Sequence, residues 1–445
     1  MLVRTLALML ATAGLMLPTS TTPAAAAPDN FTPKPGPTFN SPVGGRVQQR
    51  KIFHRVMRSI NSVPKNGEID IFSWNFLTSE GTDALLRAQR RGIRVRVIMD
   101  DRNVNQIDNP PFKRLRRGLR TWNQNHPKKR TSWARLCEGT CRSQNGSAHS
   151  KFFLFSKVGR AERVVMQGSA NFTVASTTNQ WNDIYTHTQN RKVWGFYTRI
   201  FNQAARDKPV FPAYADKKLD KFRLIAFPIR GKNAVDPVMQ MLRRVKCRGA
   251  TNTGNGRTKI QIAPDVIRQK RGMRLATKLR NMWNNGCNIR IGYTVVGITI
   301  GRMLRQDSGR GPVPMKHLTQ DLNCDGEFDN YFHLKSMTIR GHYGRDRSGV
   351  ALLNGSANWS GLAKVSDENL GIYRSRKRVL RYEKHLDYWY KQGIWGKRNC
   401  PTTFARRQAE EDNDRLIFGS DENAVYEDGT SVTGGRFDPF ASMQD

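Results

Sequence analysis

One pattern occurs twice in this chain and limits the folds open to it. The first copy is Ala148-His149-Ser150-Lys151, running into Phe152-Phe153-Leu154-Phe155, with Gln167-Gly168-Ser169-Ala170-Asn171 after it. The second is Phe332-His333-Leu334-Lys335, running into Ser336-Met337-Thr338-Ile339, with Asn354-Gly355-Ser356-Ala357-Asn358 after it. Side chains two apart on a strand share a face, so each His points with its Lys. His333 follows His149 by 184 positions, and the matched order over that distance predicts an internal duplication.

The flanking sequence agrees. The spacing predicts a helix over 48–62 with Ile52, Val56 and Ile60 on one face, a strand over 68–76, a helix over 82–91 and a strand over 93–100. The second half predicts a helix over 235–246, a strand over 258–263, a helix over 272–285 and a strand over 288–296. Gly92 and Gly286 stand where those helices should stop. Strands alternating with helices predict an α/β fold of two duplicated α/β/α halves, with chemistry collected at the strand ends where the halves meet. A chain of 445 residues fits two such units, 47–215 and 216–400. A Pro-, Thr- and Gly-rich extended arm, 27–46, precedes them. An acidic stretch, 401–445, reads as a flexible tail.

The first 26 residues read as a signal peptide: Arg4, an apolar run from Leu6 to Leu17, then small residues at Ala24 to Ala27. That run is too short to span a bilayer. Export is therefore expected, and with it disulfides among the six cysteines. Cys137 with Cys141 could close a small loop ahead of His149, and Cys247 with Cys287 could staple the second half, leaving Cys324 with Cys400. Zinc at Cys137 and Cys141 is the alternative.

Lys and Arg number 74 against 36 Asp and Glu, a net charge of +38. That excess favours a polyanionic partner: nucleic acid, an anionic membrane face or wall polymers. Trp122, Trp133, Trp181 and Trp359 are candidates for base stacking or a lipid interface, Trp359 being nearest the repeated motif.

The paired His-x-Lys and Gly-Ser-x-Asn blocks resemble the phospholipase D superfamily of phosphodiesterases, over roughly 45–400. The family usually has an Asp five residues after the Lys; here Ser156 and Arg340 stand there. The resemblance implies a phosphohistidine mechanism with no cofactor required for the chemistry. His149 would be the nucleophile and His333 the general acid and base. Lys151 and Lys335, Asn171 and Asn358, and Ser169 and Ser356 would bind the phosphate. An acid just after each Gly-Ser-x-Asn turn should orient a histidine, which makes Asp183 and Glu368 the candidates.

A separate motif, Asp321, Asn323, Asp325, Glu327 and Asp329, resembles the start of an EF-hand loop, though Phe332 stands at the twelfth position. It offers a structural calcium site; an acidic turn is the other reading.

The resemblance favours a secreted, monomeric phospholipase D that acts at a phospholipid or membrane surface and needs no protein partner. It would release a headgroup alcohol or pass the phosphatidyl group to another alcohol. A secreted metal-independent nuclease of the same superfamily is the alternative, and a polyanion-binding protein without turnover is a third.

Overall fold

In the computed structural model, residues 30–220, 222–230, 234–320, 322 and 329–392 are described. The expected signal peptide, the acidic tail, Cys324, Cys400 and four of the five calcium-loop residues (Asp321, Asn323, Asp325 and Glu327) lie outside them.

Each half is built on one mixed sheet. In the first, the parallel strands Glu68–Ser73, Arg94–Asp100 and Trp133–Cys137 continue into the antiparallel strands Lys151–Val158, Ala161–Gly168 and Asp183–His187. In the second, Lys259–Ala263 and Asn288–Tyr293 run parallel, then Ser336–Tyr343, Asp346–Gly355 and Asn369–Tyr373 run antiparallel. The duplication extends to the edges. Gly36–Phe39, within the stretch read as an arm, pairs with Asp183–His187, just as Phe222–Ala226 pairs with Asn369–Tyr373.

Local rules set the helices. Thr78 opens helix Ser79–Arg90 by accepting from the Gly81 N–H, a cap worth about 1 kcal/mol. Gly92, at φ +83°, lets the chain leave that helix and enter the strand. The apolar faces of helices Lys51–Asn61, Ser79–Arg90 and Pro110–Asn125 pack on one side of the first sheet, around Ile60, Ile71, Val97 and Leu115. Helix Gln269–Asn284 does the same for the second sheet, around Leu275, Ile260, Ile291 and Met337. Helix Arg376–Gln392 closes the seam between sheets, with Tyr382 buried against Tyr185 and Tyr373. No helix among the described residues is long and apolar enough to cross a membrane.

Both expected disulfides within the described residues are formed, Cys137–Cys141 and Cys247–Cys287. The zinc alternative at Cys137 and Cys141 is thereby corrected, since those sulfurs are bonded to each other. The positions of the missing family Asp have other work. The Ser156 hydroxyl accepts from the Glu68 N–H at 2.9 Å, and the Arg340 guanidinium lies 3.0 Å from Glu383.

Where the sheets meet, equivalent residues of the two halves bond each other. Gln167 donates to Asn354 at 2.7 Å, Asn354 donates to Asp183 at 2.6 Å, and Asn369 donates to Gln167 at 2.8 Å. A small sheet of Gln180–Trp181, Asn330–Phe332 and Thr319–Gln320 also ties the halves together.

Candidate active site

Both repeated motifs lie at this seam. His149 and His333 each stand just ahead of a central strand, at the end nearest the other half. Lys151 is the first residue of its strand and Lys335 stands one residue before Ser336, both buried, so the expectation that each His and Lys alternate within one strand is corrected: the histidines lie in the approach to it.

The glycine of each Gly-Ser-Ala-Asn turn is required by packing. A Cβ on Gly168 would collide with the Asp183 carbonyl, and one on Gly355 with the Asn369 carbonyl. That close approach sets the next residue. The Ser169 hydroxyl accepts from the Asp183 N–H, and the Ser356 hydroxyl accepts from the Asn369 N–H, at 3.0 and 2.9 Å. Both serines therefore brace backbone, in addition to the side chains described next.

Each histidine is held from the opposite half. His149 Nδ1 lies 2.9 Å from Glu368 Oε1, and both side chains are buried. Glu368 in turn accepts from the Ser356 hydroxyl. Lys151 Nζ reaches His149 Nε2 and lies 3.0 Å from the His149 carbonyl. This network assigns a neutral imidazole with its hydrogen on Nδ1, directed at the carboxylate, and the lone pair on Nε2.

His333 Nδ1 lies 2.7 Å from Asn182 Oδ1. The Asn182 amide nitrogen donates to the Ser176 carbonyl and to Gln180, so its oxygen is the end that faces His333 and Ser169. His333 must then donate through Nδ1, and its Nε2 lies 4.0 Å from Asp265 Oδ2. The expectation that Asp183 orients a histidine is corrected here. Its carboxylate accepts from Asn354 and Tyr382, is fully buried, and is pushed above the usual carboxylate range by that burial. It serves the seam, and its neighbour Asn182 serves the histidine.

The remaining expected residues divide. Asn358 is fully buried, and both atoms of its amide lack a partner among the described residues. Leaving such a group unpaired costs about 1–3 kcal/mol, so a ligand that pairs with it recovers that energy. The Asn171 amide oxygen lies 3.5 Å from the Asn75 nitrogen. Lys335 Nζ is 2.8 Å from Asp265 Oδ2. Asp329, the described member of the calcium motif, accepts from the Leu322 N–H at 2.5 Å.

Sequence reasoning missed Asn182, Asp265, Trp74 and Asn40. Trp74 meets His149 edge to face at 5.6 Å, and buried Asn40 accepts from the Asn182 N–H at 2.7 Å. The other tryptophans close to the motifs are core: Trp181 and Trp359 are fully buried. Burial pushes the buried His187 and the half-buried His317 and His385 down, to about 3, 4 and 3.

Residues 58–205 match the family model described as cardiolipin synthase, PLD-like domain. No curated protein sequence matches the chain. Polyphosphate kinase from Porphyromonas gingivalis is 12% identical with a TM-score of 0.50, over 85% of this chain and 56% of that one, so this chain spans little more than half of its length. Phosphatidylserine synthase from Haemophilus influenzae is 14% identical with a TM-score of 0.50, over 82% of this chain and 92% of that one. Nuc, a phospholipase D family member from Salmonella typhimurium, is 16% identical with a TM-score of 0.30, over 39% of this chain and 96% of that one.

The fold is that of the phospholipase D superfamily, with two duplicated halves and a site at their seam. Over residues 58–205 the chain matches a PLD-like domain, and the fold of the whole is similar to that of the phosphatidylserine synthase.

Proposed function

We propose that this protein is an exported phospholipase D. His149 Nε2 attacks phosphorus as the bond to the leaving oxygen breaks, and His333 gives that oxygen its Nε2 proton. The product is a phosphohistidine on His149 and a free alcohol. Water then attacks phosphorus, the N–P bond breaks, and His333 takes the proton from the water. An alcohol in place of water gives headgroup exchange. Lys151, Lys335, Asn171 and Asn358 hold the phosphate oxygens, and the chain's own cations carry the charge that develops. No metal is required by these steps.

The observation that carries the reading is the crossed support of the two histidines. Each has its Nδ1 held by a residue from the other half, which supports Nε2 as the reacting atom of both rings. The choice of lipid is supported by the match to a cardiolipin synthase PLD-like domain and by a phosphatidylserine synthase of nearly the same extent. Export is supported by the two disulfides.

Charge favours a second reading, a nuclease. Besides the net +38, a cavity of about 600 Å³ is lined by Lys218, Arg223, Arg243, Arg244 and Arg374 against Asp216 and Asp220. A side-by-side assay in EDTA separates the readings. Headgroup release from phosphatidylcholine and phosphatidylglycerol vesicles, lost in His149→Ala and His333→Ala, is expected. Cutting of plasmid or single-stranded nucleic acid with the vesicles intact would establish the nuclease instead. Binding to both without turnover would leave only a polyanion-binding role.

A further inference from the structure

The register makes Trp74 and Asp265 equivalent. Ser73 pairs with Lys151 and Ala263 with Ser336, which fixes the offset between the repeats. The next contact confirms it: Phe172 N donates to the Asn75 carbonyl at 3.2 Å, and Trp359 N to the Val266 carbonyl at 3.0 Å. One residue earlier stand Trp74 and Asp265. Each faces the His and Lys of its own half, with opposite chemistry.

In the first half an indole lies against His149, and Lys151 Nζ sits 5.7 Å from its ring centroid. In the second, a buried carboxylate lies 2.8 Å from Lys335 Nζ and 4.0 Å from His333 Nε2. Its backbone is left-handed, at φ +59°, a conformation that Asp tolerates better than bulky residues do. The Asp265 carbonyl accepts from the N–H groups of Thr294 and Val295, at 2.9 and 3.0 Å, which pins that geometry.

We propose that Asp265 is a positioning residue that assigns the acid role to His333, holding Lys335 in the phosphate site and favouring the imidazolium at His333 Nε2. The inference rests on the phosphodiesterase reading given above. Among the described residues, the charged Asp265 and Lys335, the Asn182 amide and the Tyr331 ring, 5.9 Å away, are in contact with His333. Lys335 alone would oppose a second positive charge, and Asn182 brings none to offset it. Asp265 supplies the negative charge, on the side of the ring where the proton must leave. Glu368 sits on the far nitrogen of His149, where it fixes a tautomer with the lone pair on Nε2, the atom that Lys151 Nζ reaches. The exchange of Trp74 for Asp265 thus turns a duplicated site into one with two different histidines.

The test is Asp265→Asn, of nearly unchanged shape, in two measurements. The first is turnover of two methyl phosphodiesters, one losing p-nitrophenol and the other phenol. Nitrophenolate leaves without a proton, and phenolate needs one. The phenyl ester should lose about tenfold more kcat than the nitrophenyl ester, and the alkaline limb of its pH profile should move to lower pH. Asp265→Glu should restore part of both. The second is an NMR titration of the His333 imidazole, identified by its loss in His333→Ala. Its midpoint should fall in Asp265→Asn, whatever the natural substrate.

Equal losses on both esters, or an unmoved His333 midpoint, overturns the proposal and leaves Asp265 as a counter-ion for Lys335. A moved midpoint in a protein that cleaves neither ester upholds Asp265 and rejects the phosphodiesterase reading. Should Asp265→Asn fail to fold, Asp265→Asn with Lys335→Gln removes both charges, and loss of the carboxylate should still lower the midpoint relative to Lys335→Gln alone.

Discussion

In the first half His149 has a carboxylate behind it, Glu368, and an aromatic wall beside it, Trp74. In the second, His333 has an amide behind it, Asn182, and a carboxylate beside it, Asp265. The strands, lysines and Gly-Ser-Ala-Asn turns of the halves follow in the same order, and the groups around each ring differ. Two identical imidazoles would compete for the same role. A carboxylate at Nδ1 fixes an attacking tautomer, and a carboxylate near Nε2 favours a proton there, so the moved charge separates the roles. On the proposed reading, the scaffold is kept and the chemistry is divided by a few side chains.

The largest effect should come from removing the attacking atom. His149→Ala should lose about 10⁴-fold or more on every phosphodiester. His333→Ala should keep measurable cleavage of a nitrophenyl ester, because that leaving group needs no acid. Parallel single-turnover assays check the pair, and equal silence on both substrates would remove the division of labour.

Next in size are the groups at Nδ1. Glu368→Gln breaks a buried charged contact and should lower kcat by about 10–100-fold. Asn182→Ala should cost less, because no charge is removed. If the amide matters more than the acid in steady-state kinetics, the two histidines have been assigned the wrong way round.

Asn358→Ala sharpens the comparison in another way. Its amide is unpartnered, whereas Asn171 sits against the Asn75 N–H. Truncating Asn358 should cost about tenfold in kcat/KM while leaving Tm unchanged or slightly raised, since an unsatisfied buried amide disappears. Calorimetry beside kinetics tests both signs. A large drop in Tm would make Asn358 structural.

The smallest effect concerns Asp367, which neighbours Glu368. It accepts from the Cys141 N–H at 2.6 Å, and burial pushes its carboxyl up to about 7. The unfolded chain gives up that proton near the ordinary carboxylate value, so the folded chain binds it more tightly. The stability it contributes is complete below pH about 4 and is lost as pH rises towards about 7. Asp367→Asn should flatten the slope of Tm over that range, and an unchanged slope would assign it to other groups.

Most strands, and the face carrying each His and Lys, could be read from the alternation of residues alone. The error at Asp183 shows where such reading stops. An acid near the right distance looked like the partner, but the partner is one residue earlier. Aligning Ile184 with Leu370, where each following strand turns apolar, sets Asn182 against Glu368; the search for two acids hid that match. Asp265 left no local signal. It comes near Lys335 only because strands 70 residues apart in sequence lie side by side.

The sequence by itself determined the duplication, the alternation of strands and helices, the two His-x-Lys pairs and the glycines that let strands approach. These are short-range facts, carried by periodicity and by residues within one turn or strand. Only the tertiary structure decided which half supports which histidine, because that depends on register across a seam where residues about 150 to 220 positions apart meet. The physical reason is that a carboxylate acts over a few ångströms. Its role is set by which ring nitrogen it reaches, and folding alone fixes that distance.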